Sequence, residues 1–155
     1  MEIENNNPHK NKVHRVLAYS YSVQFVLFLL GLYFDLVFAL KIPTYPLIAQ
    51  LGIFLLILGS FLIFWAQLTT HDFKKENMSQ ETFCQGPYRY TRSPTHFGLF
   101  LLMLGFGLMI SAPLVISFTV LSFIISKLVF LKRQEEILAE KYGTPYLEYK
   151  KFVKF

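Results

Sequence analysis

The hydrophobic residues of this chain fall into four long runs, and the lengths of these runs predict membrane-spanning helices. The first two cover residues 16–40 and 46–68 and contain few polar side chains. A spanning helix needs roughly 20 predominantly apolar residues, so both are long enough. The third and fourth runs, residues 97–110 and 114–131, are shorter, and only residues 111–113 separate them. This arrangement predicts a tight helical hairpin.

Polar segments separate the runs and suggest what lies outside the bilayer. A polar tail, residues 1–15, precedes the first run, and a long polar loop, residues 69–95, joins the second run to the third. After the fourth run the chain reads as a helix as far as Lys141, with Gly143 as its stop. Aromatic and lysine side chains then alternate to Phe155, a pattern typical of a helix along the membrane interface.

These elements predict an all-α fold. We expect a polytopic membrane protein with four transmembrane helices, a C-terminal helical hairpin and a cytosolic-side interfacial helix. Residues 1–155 are expected to form a single membrane domain. Within it, residues 1–15 are the polar N-terminal tail, residues 16–68 the two N-terminal spans, and residues 69–155 the candidate catalytic region.

The basic residues predict the orientation of the helices. Of the 15 Lys and Arg side chains, all but Lys41 lie in the N-terminal tail, in the 69–95 loop or in the C-terminal portion from Lys127 onward. With four spans these three segments share one side of the membrane. Because Lys and Arg are enriched in cytoplasmic segments, both termini and the loop are expected in the cytosol. Three or five spans would split the basic clusters across the membrane.

Composition agrees with a membrane protein and narrows its partners. Hydrophobic residues make up 54% of the chain and charged residues only 16%. The net charge of +5 is better explained by attraction to anionic lipid headgroups than by nucleic-acid binding. The single cysteine, Cys84, excludes an internal disulfide. The histidines lack metal-ligand spacing, so no metal site is expected. The sequence leaves the oligomeric state open.

The segment from Gly86 to Gly98 is the first candidate for chemistry. Its Gly86-Pro87 pair predicts a turn, and Pro94 suits the first turn of the third helix. Arg92 therefore lies just ahead of that helix, at the membrane surface. An arginine in this position can grip a carboxylate through two hydrogen bonds, and the free backbone N–H groups of the helix start reinforce the site.

A second candidate segment follows the hairpin and contains Arg133, Glu135 and Glu136. Because the connection at residues 111–113 is so short, the far ends of the third and fourth helices must lie side by side. The start of one helix carries Arg92, and the end of the other leads into Glu135. The sequence therefore predicts that two charged clusters, distant along the chain, meet at the cytosolic end of the hairpin.

Together these segments resemble the signature of the isoprenylcysteine carboxyl methyltransferase family and its bacterial relatives. That family shows Gly-Pro-Tyr, then Arg-His-Pro-x-Tyr-x-Gly and, after a hairpin, Glu-Glu, a leucine, an aromatic-Gly pair and two spaced tyrosines. The resemblance covers roughly the last 75 residues. The matching residues are Gly86-Pro87-Tyr88, Arg92, Pro94, Gly98, Glu135-Glu136, Leu138, Tyr142-Gly143, Tyr146 and Tyr149.

Two positions depart from the family pattern. Ser93 stands where the family usually has histidine, and His96 stands where it usually has tyrosine. Phospholipid N-methyltransferases, which resemble this family, also vary at the histidine position. The resemblance therefore indicates the methyl donor more firmly than it indicates any particular acceptor.

The resemblance implies a membrane methyltransferase that uses S-adenosylmethionine, bound in a pocket of membrane helices. The acceptor would be small or lipid-like and carry a prenylcysteine-type carboxylate, a thiol or an amine. By analogy Arg92, Glu135 and Glu136 are the expected catalytic residues: a glutamate would hold the donor's amino group or the acceptor, and Arg92 a carboxylate. These three, with Tyr88, Tyr90, Pro94 and His96, are the expected cofactor-binding residues. The bacterial relatives imply a place in the bacterial inner membrane.

Other functions and simpler roles stay open at this point. Sterol reductases resemble this family in their C-terminal hairpin but use NADPH, and a non-catalytic membrane subunit that retains the fold is a further alternative. Arg92 would then be a snorkelling anchor, and the two glutamates a solvated helix face paired with nearby lysines. His96 would be a hydrogen-bonded residue at a helix start. Asp35, near the non-cytosolic end of the first run, is expected to be solvated at the interface.

Overall fold

Every regular element of the computed structural model is a helix in the part of the chain that it describes, residues 8–40, 43, 45–72 and 85–153. The expected all-α class is confirmed for these residues. Lys74, Lys75 and Cys84 of the predicted polar loop lie outside them. In chain order the elements are α1 (Pro8–Phe38), α2 (Pro46–Asp72), a 3₁₀ turn (Gly86–Arg89), α3 (Pro94–Met109), α4 (Pro113–Ile125), a π-helical segment (Ser126–Leu131), α5 (Lys132–Tyr142) and α6 (Thr144–Phe152).

The helix surfaces identify a multi-pass membrane protein. Among the described residues, three helical stretches are long and apolar enough to cross a bilayer: Arg15–Phe38, Pro46–Thr69 and Pro113–Glu140. Large apolar side chains point outward along the helices, and Leu36 and Leu47 are 81% and 78% exposed. Many of the side chains buried between the helices are small or polar, which is typical of helix contacts formed in lipid.

The shorter apolar helix, α3, lies between α2 and α4. Its 16 residues extend about 24 Å, which is less than the roughly 30 Å thickness of the hydrocarbon core. Its buried positions include Gly98, Gly105 and Gly107, so much of the face toward its neighbours is backbone. The predicted count of four spans depends on this helix.

Two pairs of glycines bring α2 and α3 into backbone contact. A Cβ atom on Gly52 would lie 2.7 Å from the carbonyl oxygen of Gly105, and one on Gly59 would lie 2.6 Å from that of Gly98. The glycines have the same spacing on both helices, which run antiparallel. Apolar burial gives little driving force between helices in lipid, and close backbone packing supplies it instead. Gly52 and Gly59 therefore let the two helices pack closely.

Polar contacts attach α1 to the continuous helix that begins with α4. The Asp35 carboxylate accepts hydrogen bonds from the backbone N–H groups of Leu114 at 3.2 Å and Val115 at 2.8 Å. These groups have no partner within the first turn of α4, so Asp35 caps that helix from another one. The expected solvation of Asp35 is therefore wrong, because its side chain is buried against α4. Nearer the start of α1, the Ser20 hydroxyl donates to the Ser126 hydroxyl at 3.3 Å.

The predicted hairpin is present between α3 and α4. Ser111 adopts a φ of +57° in the turn, and the Ala112 N–H donates to the Gly107 carbonyl at 2.9 Å. Beyond the turn, α4, the π segment and α5 form one continuous helix. The predicted fourth span and the predicted tail helix are therefore a single element, which carries Glu135 back beside the start of α3.

Gly143 ends this continuous helix, as expected, with a φ of +63° that favours glycine. α6 then turns back, and Tyr146, Tyr149 and Val153 form a buried cluster with part of α5. The segment expected along the interface is thus packed onto the protein through two tyrosines, while Phe152 is exposed.

Gly59→Val is expected to force α2 and α3 apart, because even its Cβ would meet the Gly98 carbonyl at 2.6 Å. Overpacking of this kind costs about 1–3 kcal/mol, so the thermal unfolding midpoint in detergent should fall by several degrees. Ser60→Val, at the neighbouring exposed position, is the matched control and should leave the midpoint unchanged. An equal effect of the two substitutions would contradict a specific contact at Gly59.

Candidate active site

A cavity of about 860 Å³ opens beside the start of α3. Its walls come from α2, from residues 87–93, from α3 and from the continuous α4–α5 helix. Apolar side chains form most of these walls, among them Leu58, Leu62, Phe97, Phe123 and Leu131. Among the described residues, the polar side chains that border the cavity are Tyr90, Thr91, Arg92, Ser93, Lys127, Lys132 and Glu135. The cavity is therefore amphipathic.

An ion pair between Arg92 and Glu135 lies at this cavity. The Arg92 Nη1 donates to the Glu135 Oε1 at 2.6 Å, and both side chains are 16% exposed. A charge-assisted hydrogen bond in a partly dry environment is stronger than one in water. The pair joins residues 43 positions apart along the chain, as the predicted hairpin implied. We call the end of the bundle that carries it the site end.

The C-terminal helix is tied to the same ion pair. The Lys150 Nζ lies 2.7 Å from the Glu135 Oε2, so each carboxylate oxygen of Glu135 has a cationic partner. The Arg92 Nε donates to the Val153 carbonyl at 2.5 Å. Arg92 is thus held by groups from α5 and from the end of α6, which fix the direction of its guanidinium.

The turn before α3 explains how Arg92 reaches this position. Gly86 has a φ of +56°, and a Cβ there would lie 2.3 Å from the Thr69 Oγ1, so this position favours glycine on both counts. The Pro87 carbonyl accepts hydrogen bonds from the N–H groups of Tyr90 and Thr91, which closes the turn. Pro94 then starts α3. The Gly-Pro and Pro94 signals therefore predicted the local structure correctly.

Two buried tyrosines pack the C-terminal helix against this turn. The Tyr149 hydroxyl donates to the Tyr88 carbonyl at 2.7 Å. Burial raises the pKa of Tyr146 well above its ordinary value, and the charge of Glu135 acts in the same direction while Arg92 opposes it. Tyr146 therefore stays a neutral phenol at physiological pH. These contacts give both tyrosines of the family-like pattern a structural role.

The structure brings some of the expected site residues to the cavity and not others. Arg92, Glu135 and Tyr90 border it, and Tyr90 is 71% exposed. Glu136 is exposed and does not border the cavity. Tyr88, Pro94 and His96 do not border it either. Pro94 is buried at the start of α3, and Tyr88 contributes the carbonyl that Tyr149 binds.

His96 faces α1 rather than the cavity. Its Nε2 is hydrogen-bonded to the Ser20 Oγ at 2.9 Å, and its ring packs on Tyr21 with a centroid separation of 4.8 Å. The side chain is 2% exposed. This geometry matches the simpler interpretation of a hydrogen-bonded residue at a helix start.

Several residues that border the cavity or hold its ion pair were not predicted as site residues from the sequence. The cavity is bordered by Trp65, Lys127 and Lys132, for which the sequence indicated no ligand role. Lys150 is the lysine that pairs with Glu135, whereas the simpler alternative for the two glutamates was pairing with nearby lysines on the same helix. No local spacing rule reports a contact between two different helices, so only the hairpin topology pointed in this direction.

Comparison with known proteins gives one match. The sequence profile of the phospholipid methyltransferase family matches residues 47–145, and this domain includes the isoprenylcysteine carboxyl methyltransferase type. No curated protein and no solved structure matches the chain. The matched region runs from the start of α2 into α6 and contains both Arg92 and Glu135. Because it covers well over half of the sequence, the family-level prediction is confirmed: the chain belongs to the phospholipid methyltransferase family.

Proposed function

We propose that this protein is a membrane methyltransferase that transfers a methyl group from S-adenosylmethionine to a lipid-like acceptor in the 860 Å³ cavity. The observation that carries the proposal is the Arg92–Glu135 ion pair, which borders an amphipathic cavity in a chain of this family. Family membership implies methyl transfer in general. The identity of the donor, the acceptor and the acting residues is the proposal.

The cavity fits such a donor in size and in chemistry. Ligand sites commonly measure roughly 300–1,000 Å³ and combine apolar walls with a few polar groups. When bound, S-adenosylmethionine supplies a methyl group activated by a sulfonium centre. Tyr90 and Trp65 offer aromatic faces at the cavity for the adenine ring or the positive sulfonium. Arg92 offers a cation for the donor carboxylate.

The protein's own contribution is alignment and exclusion of water. Methyl transfer needs the two reactants in line and at close range. When the protein positions them in this way, the activation free energy falls by several kcal/mol. Glu135 and the Val153 carbonyl orient the Arg92 guanidinium before a ligand arrives. The apolar walls keep water from the reacting groups. Glu136, Tyr88, Pro94 and His96 act in this proposal only through the structure around the cavity.

The proposal includes the arrangement in the membrane. α3 is taken as the third of four spans, and the whole chain as one membrane domain. With four spans the basic residues of the site end, among them Lys132, Arg133 and Lys150, share one side with the N-terminus. Lys and Arg in short loops favour the cytosolic side, where a water-soluble donor is available. A lipid-like acceptor would enter the cavity from the bilayer.

Isothermal titration of S-adenosylmethionine into detergent-purified protein tests the donor. We expect binding by the unaltered chain and a loss of about tenfold or more in Arg92→Ala and Glu135→Gln, because each removes a member of the ion pair at the cavity. Glu136→Gln is the matched control and should bind as the unaltered chain does, since its side chain is exposed.

Failure of the folded, unaltered protein to bind S-adenosylmethionine would contradict the proposal, and binding of NADPH instead would favour the reductase alternative. Equal losses in Glu135→Gln and Glu136→Gln would exclude a specific role for the ion pair. A circular-dichroism spectrum of each variant shows that the comparison is made between folded proteins.

Cysteine accessibility tests the orientation. With the single cysteine, Cys84, replaced by serine, new cysteines at the exposed positions Tyr45 and Lys151 report on opposite ends of the bundle. A membrane-impermeant maleimide added to spheroplasts should label Tyr45→Cys and leave Lys151→Cys unlabelled until the membrane is permeabilised. Labelling of Lys151→Cys from outside would reverse the proposed topology.

A further inference from the structure

The π-helical segment, Ser126–Leu131, sets the direction of Glu135 on the continuous helix. In a π-helix the backbone hydrogen bonds join residues five apart, so a π turn holds one residue more than an α turn. Each residue beyond the segment therefore points where the residue before it would point in an uninterrupted α-helix, a difference of about 100°. Because Asp35 holds the start of α4, an uninterrupted helix would turn Gln134, and not Glu135, toward Arg92.

Contacts with α1 surround the start of the π segment. π-helical turns are rare and occur mostly as single interruptions of α-helices, frequently at functional sites, so the surrounding structure must favour this one. α1 packs along the segment. Ser126, its first residue, is fully buried, and its hydroxyl accepts a hydrogen bond from the Ser20 hydroxyl at 3.3 Å. This bond holds the segment at the point where the helix leaves the α-helical pattern.

His96 completes this contact from α3. A serine hydroxyl has one proton, and Ser20 gives it to Ser126, so Ser20 accepts from His96. The two atoms, His96 Nε2 and Ser20 Oγ, are 2.9 Å apart. All three side chains are buried, with His96 only 2% exposed, and in such an environment hydrogen bonds are stronger than in water. We call these three residues the buried hydrogen-bond chain.

Gln24 shows that burial of a polar side chain on α1 is not by itself sufficient for such a contact. It lies one turn beyond Ser20 and is 1% exposed. Neither Nε2 nor Oε1 of Gln24 has a hydrogen-bond partner among the described residues. Gln24 therefore offers a matched control, because it is buried on the same helix and makes no hydrogen bond to the π segment.

We propose that the buried hydrogen-bond chain positions the ion pair for the reaction: it holds the π segment, which presents Glu135 rather than Gln134 to Arg92. This proposal rests on the proposed function in so far as the oriented Arg92 binds the donor. The members of the chain act through the helix, and none of them borders the cavity: Ser20, His96 and Ser126. At position 96, where this chain departs from the family pattern, the histidine thereby gains a role.

Isothermal titration of S-adenosylmethionine into the detergent-purified full chain tests the contact at the π segment. Ser20→Ala and, independently, Ser126→Ala remove one hydroxyl each, so the helix relaxes to the α form and Glu135 turns away from Arg92. We expect binding about tenfold weaker in both variants. Gln24→Leu is the matched control and should bind as the unaltered chain does. An equal loss in Gln24→Leu would overturn the proposal.

The role of His96 is tested by two substitutions. His96→Gln retains an N–H donor for Ser20 and should keep most of the affinity for S-adenosylmethionine. His96→Leu has no donor and should lose about as much as Ser20→Ala, which is about tenfold. Equal affinities in the two His96 variants would exclude the hydrogen bond as the cause. A circular-dichroism spectrum of each variant shows that folded proteins are compared.

Gln134→Glu separates positioning from a general loss of stability. In the Ser20→Ala background it restores a carboxylate in the direction of Arg92, so most of the lost affinity should return. In the unaltered chain the same substitution should change the affinity little, because Glu135 already pairs with Arg92. A carboxylate at position 134 would not repair a helix that is merely destabilised. Absence of this rescue would therefore overturn the proposal.

Chemical cross-linking reports the helix rotation without the donor. With Cys84 replaced by serine, Arg92→Cys/Glu135→Cys is compared with Arg92→Cys/Gln134→Cys, using a short bifunctional thiol reagent. The first pair should cross-link faster in the otherwise unaltered chain, and the second pair faster when Ser20→Ala is added. An unchanged preference beside intact donor binding would reject the positioning role and retain the methyltransferase. A reversed preference in a protein that never binds S-adenosylmethionine would retain the positioning of Glu135 and reject the proposed function.

Discussion

Close contact between α2 and α3 is the constraint on which the rest of this structure depends. In lipid the helices gain little from hiding apolar surface, so a stable contact needs close-packed atoms. Gly52 and Gly59 supply it by admitting the α3 backbone at distances that no side chain would allow. This contact fixes α3 along α2, and with it the level at which Arg92 borders the cavity. The cavity wall on this side is therefore set by glycines that do not themselves border the cavity.

The opposite wall is set by a different kind of contact. Asp35 caps α4 from α1, and the Ser20 hydroxyl donates to Ser126 at the start of the π segment. Polar contacts have direction, so they fix the rotation of the continuous α4–α5 helix as well as its position. That rotation decides that Glu135 faces Arg92 while Glu136 faces outward. The ion pair therefore forms where α3, which is positioned by glycines, and the continuous α4–α5 helix, which is positioned by hydrogen bonds, come together.

The sequence predicted the features that follow from length and from short connections. The lengths of the apolar runs predicted the helices, and the three-residue connection predicted the hairpin. The hairpin in turn predicted that Arg92 approaches Glu135. Features that depend on helix rotation could not be predicted in this way. The π segment has no composition of its own, so no pattern in the sequence predicts it. His96 has the right position along the chain for the cavity but points to α1, because a buried serine partner is there.

The amphipathic cavity combines apolar walls with charged side chains among the residues that the structure describes. Under the proposed function a water-soluble donor and a membrane-borne acceptor must meet without water between them. Arg92 is already oriented by Glu135 and by the Val153 carbonyl, so little ordering is left for ligand binding to supply. Lys150 takes the second Glu135 oxygen, so this carboxylate is held by cations from two separate segments of the chain. The C-terminal helix, which lies almost wholly outside the family match, therefore helps to set the charge of the site.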